Sequence, residues 1–122
     1  MLAYRLLGLS LHLADGWQAL WVLLAAPALE EWIFRVLLQA GMQAYLASNT
    51  ARPGWSAHSA NVIVALFFAA AHVPSQGWLA LWWTLPSLVL GELWRRHTRW
   101  WPCALAHAGF NLSLWGVAAL AL

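Results

Sequence analysis

Two adjacent carboxylates, Glu30 and Glu31, and an arginine, Arg35, lie inside an otherwise apolar stretch from about Trp17 to Leu46. An ionisable residue at membrane depth costs roughly 2.5–3.5 kcal/mol on insertion scales, so three in six residues need partners or a task. On a helix Glu31 and Arg35 stand four residues apart and can meet, a pairing that is structural rather than chemical. Glu30 then has no partner on its own helix and points about 100° away from Glu31. Desolvation and nearby donors act in opposite directions on such a carboxyl, which makes it a candidate general base. Further on, His107 and Asn111 are again four apart and share a helix face. His72 comes from another apolar stretch. One base, two imidazoles and an amide could together activate a water and hold an oxyanion.

These residues must be positioned by helices. Asp15-Gly16 punctuates the chain, and the first expected span runs from about Trp17 to Leu46. At 1.5 Å per residue it is about 45 Å long against a hydrocarbon core of about 30 Å, so it must tilt, kink at Pro27 or project. Ser48 to Ser56, with Pro53-Gly54 inside it, is the clearest loop. A second span is expected from about Ser59 to Val73, a tight turn at Pro74–Gly77, and a third span from Trp78 to Trp94 with Pro86 inside it. A basic loop carries Arg95, Arg96, His97 and Arg99, and a fourth span runs from Trp101 to Leu122. The runs are continuous rather than alternating, so helices are expected and not a barrel.

The expected fold is therefore all-α, an integral membrane helical bundle of about four transmembrane helices with a short N-terminal helix over residues 1–14. Residues 1–122 read as one membrane-embedded domain with a motif-bearing core over about 17–115. The N-terminal stretch is too short to span and is interrupted by Arg5, Ser10 and His12. A secretory signal fits poorly, because Asp15 lies where positive charge belongs and Pro27 sits inside the small-residue site. With four spans, the loops bearing Arg52 and Arg95–Arg99 share one face, cytoplasmic by the positive-inside rule. Trp55, Trp94, Trp100 and Trp101 would mark that interface, Trp17 and Trp78 the other.

Composition agrees. The 122 residues are 63% hydrophobic and 8% charged, against about 25% charged in a soluble domain. Six arginines stand against four acids with no lysine, and the net charge of +2 excludes a nucleic-acid role. One cysteine, Cys103, excludes an internal disulfide and a cysteine metal cluster and reads as a small packing residue. The Arg- and Trp-rich, lysine-free chain suggests a high-GC bacterium and its inner membrane.

Depth counting puts Glu30 and His107 at about the same level, each about 10 Å from one face, while His72 fits less well unless its helix begins above the membrane. At this point the motifs themselves carry information. Glu30-Glu31-x-x-x-Arg35, Phe68-x-x-x-His72 and His107-x-x-x-Asn111 occur in this order. The set resembles the CPBP group of intramembrane proteases, relatives of the type II CaaX prenyl endopeptidase and bacterial Abi proteins. The run Val89–Trp94 followed by Trp101–His107 also resembles the approach to that family's last motif, and the similarity covers about residues 17–115.

The resemblance implies a glutamate-dependent endopeptidase acting on a membrane-associated protein or lipidated peptide near the cytoplasmic face. Glu30 would be the base and His107 would help hold the water. His72 and Asn111 would donate to the oxyanion, and Glu31 and Arg35 would position the site. Family members carry additional spans, which leaves open how the substrate enters and whether a homo-oligomer or another protein completes the fold. No cofactor is expected. Zinc on Glu30, His72 and His107 is the alternative, a two-histidine, one-carboxylate set, but HExxH spacing is missing and the resemblance favours a metal-free mechanism.

Two other classes compete. An inactive membrane chaperone or immunity protein should have lost Glu30 or His107, and both are present. A small transporter subunit also uses buried Glu and His, but would leave the paired motifs as coincidence. Phe68 reads as packing, Glu92 as a solvated helix end, and His12, His58 and His97 carry no role. The substrate stays open among prenylated tails, sorting tags, bacteriocin precursors and anti-sigma-type proteins.

Overall fold

The computed structural model describes residues 16–50 and 52–120, and the expected N-terminal helix over residues 1–14 lies outside them. The described residues form three helical runs: 16–49, Ser56–His97 and Trp100–Leu120. The expectation of about four transmembrane helices is overturned. Among the described residues one helix, Ser56–His97, is long and apolar enough to cross a membrane. Glu30, Glu31 and Arg35 interrupt the first run. The turn expected at Pro74–Gly77 falls at Gly77: helix continues through Pro74 to Gln76, and the chain turns at Gly77 into the 3₁₀ stretch Gly77–Trp83. The loop-by-loop orientation counted four spans and falls with them.

Gly77 redirects the second run. Its φ of 68° is open to glycine and strained for other residues. The chain folds back there, so Asn61 on the outgoing arm (Ser56–Gln76) donates to the Leu88 carbonyl on the returning arm (Thr84–His97) at 3.0 Å. Thr98, at φ 53°, closes the returning arm by donating its N–H to the Trp94 carbonyl at 2.6 Å. The third run then lies against that arm, with the buried Cys103 thiol facing the Leu90 carbonyl at 3.3 Å.

The first run is irregular where it carries the chemistry. Pro27 has no N–H and its ring crowds the preceding turn. The turn before it, Trp21–Ala25, widens to π geometry, with the Ala26 N–H bonding the Trp21 carbonyl. A second π stretch, Trp32–Gln39, follows Glu31 and holds both Arg35 and Gln39. Such widened turns recur at functional sites.

The interior mixes polar with small apolar residues, and the outside carries many large apolar ones. Glu31, Arg35, Gln39 and Ser87 have no exposed surface, whereas Leu24, Leu37, Leu66, Phe67, Leu105 and Leu112 are each more than half exposed. A surface of that kind needs lipid or a partner to cover it. Ala60, Ala65 and Ala69 are fully buried on the outgoing arm, and small residues of this kind let helices approach closely.

Gly91 marks the tightest approach. A Cβ there would lie 1.8 Å from Asn61 Oδ1 and 2.9 Å from Gln39 Oε1. Gly91→Ala is expected to cost about 1–3 kcal/mol, the range for overpacking, seen as a lowered thermal transition in detergent. Asn61→Ala in the same chain should recover part of the loss, since it removes the side chain that is struck. A double variant no more stable than the sum of the two single losses would place the strain elsewhere.

Candidate active site

The polar residues converge in two layers. The inner layer is an ion pair within the first run: Arg35 Nε donates to Glu31 Oε2 at 2.7 Å, with both side chains fully buried. This is the four-residue pairing expected from the sequence. Arg35 Nη1 donates to Gln39 Oε1 at 2.9 Å, and Nη2 to the hydroxyl and carbonyl of Ser87 at 2.9 and 3.2 Å. The other oxygen of Glu31, Oε1, meets His107 Nδ1 at 2.9 Å. A carboxylate held by a guanidinium can only accept, so Nδ1 of His107 carries the hydrogen and Nε2 is turned outward.

The outer layer faces a cavity of about 510 Å³. Its walls include Glu30, His72, His107 and Asn111, with Trp21, Phe34, Phe68 and Trp83 as aromatic surface. Glu30 Oε2 lies 3.8 Å from His72 Nε2 and 3.8 Å from His107 Nε2. That is longer than a hydrogen bond and suits a shared water. The Glu30 side chain remains 30% exposed while that of Glu31 is fully buried. Neighbours in sequence, the two carboxylates point into different environments because a helix turns about 100° per residue.

His72 is held on its own helix. Nδ1 meets the Phe68 carbonyl at 2.8 Å, which can only accept, so Nδ1 is protonated and Nε2 faces Glu30. The Phe68 ring is buried and lies 4.7 Å from the His72 ring, 5.7 Å from the His107 ring and 4.9 Å from Phe34, centroid to centroid. It packs, as its residue type suggested, and its place is between the two imidazoles. Asn111 Nδ2 donates to the Val22 carbonyl at 3.0 Å, leaving its second hydrogen and its oxygen for the cavity side. This bond ties the third run to the widened turn ahead of Pro27.

The structure thus brings Glu30, His72 and His107 together, lines the same cavity with Asn111, and puts Glu31 and Arg35 directly behind. His72 lies as near Glu30 as His107 does, where depth counting made it the poorer fit. The outgoing arm begins at Ser56, after the short 3₁₀ turn Pro53–Trp55. The motif reading missed Gln39, Ser87 and Asn61, and held Gly91 only as part of the run Val89–Trp94. Gln39 was accessible as the next four-residue step after Glu31 and Arg35. The others have no periodic relation to the motifs.

The zinc alternative would need the three side chains slightly closer together. Two ligands at 2.0–2.1 Å from a tetrahedral zinc stand roughly 3.3 Å apart, closer than the two 3.8 Å separations from Glu30. Among the described residues no group of three or more His, Cys, Asp and Glu is arranged to hold a metal ion. At the far end of the second run, Glu92 is bound by Arg95 and Arg96 at 2.7–2.8 Å, the helix-end charge cluster its position suggested.

No curated protein and no solved structure matches the chain. A family model does, that of the type II CAAX prenyl endopeptidases of the Rce1-like kind, over residues 12–113. That span takes in all three motifs and most of the 122 residues. Family and apolar helix together make this a membrane-associated protein with a peptidase-type hydrolytic function. The chain belongs to the Rce1-like family of type II CAAX prenyl endopeptidases.

Proposed function

We propose that the chain is an intramembrane endopeptidase, a single membrane-embedded domain that hydrolyses a peptide bond of a membrane-associated protein or lipidated peptide through water activated by Glu30. The observation that carries this reading is the placement of Glu30 Oε2 at 3.8 Å from both imidazole Nε2 atoms, on the wall of the cavity. A water between them gives one proton to Glu30 as its oxygen attacks the scissile carbonyl. His107, with Nδ1–H committed to Glu31, accepts the other water hydrogen at Nε2 and so orients the nucleophile.

The carbonyl oxygen becomes an oxyanion between His72 and Asn111. Asn111 donates the amide hydrogen not used on Val22. His72 enters the step with hydrogen on both ring nitrogens, Nδ1–H on the Phe68 carbonyl and Nε2–H toward the Glu30 carboxylate; once Glu30 has taken the water proton, Nε2–H donates to the oxyanion, which becomes its counter-charge. Preorganised donors in a water-poor site are the largest single contribution in most acyl-transfer enzymes. The C–N bond then breaks, the amine nitrogen takes the proton from Glu30, and the acyl carbon keeps the water oxygen as a new carboxyl group.

The test is cleavage of a panel of quenched-fluorescence peptides, prenylated and unprenylated, by purified protein in lipid nanodiscs. Cleavage of at least one, at a rate unchanged by a strong zinc chelator, is expected. Loss of cleavage in chelator with recovery on added zinc would overturn the metal-free chemistry. No cleavage of any peptide together with proton or solute flux in the same nanodiscs would favour a transport role.

A further inference from the structure

We propose that Gln39 and Ser87 are positioning residues for His107, acting through the Arg35 guanidinium and the Glu31 carboxylate. The inference rests on the reading of His107 as a working imidazole of the site. Neither residue belongs to the motifs, and both are fully buried.

Arg35 sits among four acceptors: Glu31 Oε2, Gln39 Oε1, and the hydroxyl and carbonyl of Ser87. The guanidinium is a rigid plane. Once Nη1 and Nη2 are fixed, the direction of Nε is fixed as well, and it aims at Glu31. Gln39 cannot turn its amide over, because its Nε2 donates to the Gly91 carbonyl at 3.1 Å. Its oxygen is thereby committed to Arg35. Glu31, held at Oε2, presents Oε1 to His107 Nδ1. The result is a continuous line of hydrogen bonds from the returning arm, through the first run, to the imidazole of the third. It ends at Nε2, which faces Glu30 and the cavity.

Without the Gln39 oxygen, Nη1–H would lose its acceptor at a fully buried position. The guanidinium would then rotate toward another acceptor and draw Nε away from Glu31. Glu31 would lose its fixed plane, and His107 would no longer be held with hydrogen on Nδ1. Ser87→Ala removes one of the two acceptors of Nη2 and leaves the carbonyl, so its effect should be the smaller.

The test uses the full chain in nanodiscs with ¹⁵N-labelled histidine, the His107 signals being those lost in His107→Ala. The wild type should show His107 with hydrogen on Nδ1. Gln39→Leu should give a mixed or reversed tautomer, with kcat on a cleaved peptide lowered between about tenfold and a hundredfold, the scale of an ångström of misplacement, and KM within about twofold. Ser87→Ala should shift the His107 signal partway, and Ser87→Thr should return it. If Gln39→Leu does not fold, the two Ser87 variants carry the same test.

His107 signals unchanged in both Gln39→Leu and Ser87→Ala would overturn the proposal, whatever the activity does. A tautomer that responds in a chain that cleaves no peptide would sustain the relay and reject the peptidase reading. The two failures are therefore distinguishable.

Discussion

Glu30→Gln is expected to lower the rate of peptide cleavage by about 10²- to 10⁴-fold, the range for loss of a general base, while the thermal transition in detergent stays close to that of the wild type. The substitution keeps the shape of the side chain and removes only its capacity to take a proton. The two consequences separate because Glu30 lies at the cavity wall, partly exposed and 3.8 Å from its imidazole neighbours. Among the described residues, no hydrogen bond of the packed interior depends on it in the way that Arg35 depends on Glu31. Cleavage at the wild-type rate in Glu30→Gln would end its assignment as base. His107 would then be the next candidate, since it is backed by the Glu31 carboxylate in the manner of a carboxylate–histidine pair.

Arg35→Leu should have the opposite profile, a loss of the fold itself. Removing one partner of a buried ion pair costs about 3–5 kcal/mol, because the remaining charge is left uncompensated away from water. Here the cost falls on more than one group. Glu31 keeps only His107 as a partner among those described, and the acceptors of Gln39 and Ser87 lose their donor. A stability loss on that scale is a large share of what a small protein has, so the chain should be recovered in low yield or with its thermal transition broadened and lowered. Arg35→Lys keeps the charge without the planar fork and should fall between the two. An Arg35→Leu protein with an unchanged transition would show that the buried pair is not what joins the first run to the returning arm.

The two experiments divide the adjacent glutamates by task. Glu30 and Glu31 are chemically identical and one residue apart, yet one faces the cavity and the other a guanidinium. Helical rotation alone separates their directions. Which direction is wet and which is buried follows from the neighbours. The third run brings His107 between them, with Nδ1 on Glu31 and Nε2 toward Glu30. A single imidazole thus joins the buried layer to the exposed one.

Part of this was legible in the residues themselves. Spacing within one helix is a local property, set by 3.6 residues per turn. The Glu31–Arg35 contact follows from it, as does the common face of His107 and Asn111. The cost of charge in an apolar stretch singled out Glu30, His72 and His107 without any knowledge of their neighbours. The order of the three motifs pointed to the family that the match over residues 12–113 establishes.

Register between helices is a different kind of quantity. It depends on how side chains interlock across distances of 52, 76 and 89 residues along the chain, and no local periodicity carries that information. Only the folded chain decided that His72 stands as near Glu30 as His107 does, that Gln39 and Ser87 close around Arg35, and that Gly91 must lack a side chain. The span count failed for a related reason: proline and glycine were read as the ends of helices. Pro74 lies close enough to the end of the outgoing arm for helix to continue through it to Gln76, and the chain turns back only at Gly77. Residue type and local spacing determined which groups could do chemistry here; long-range packing decided which of them meet.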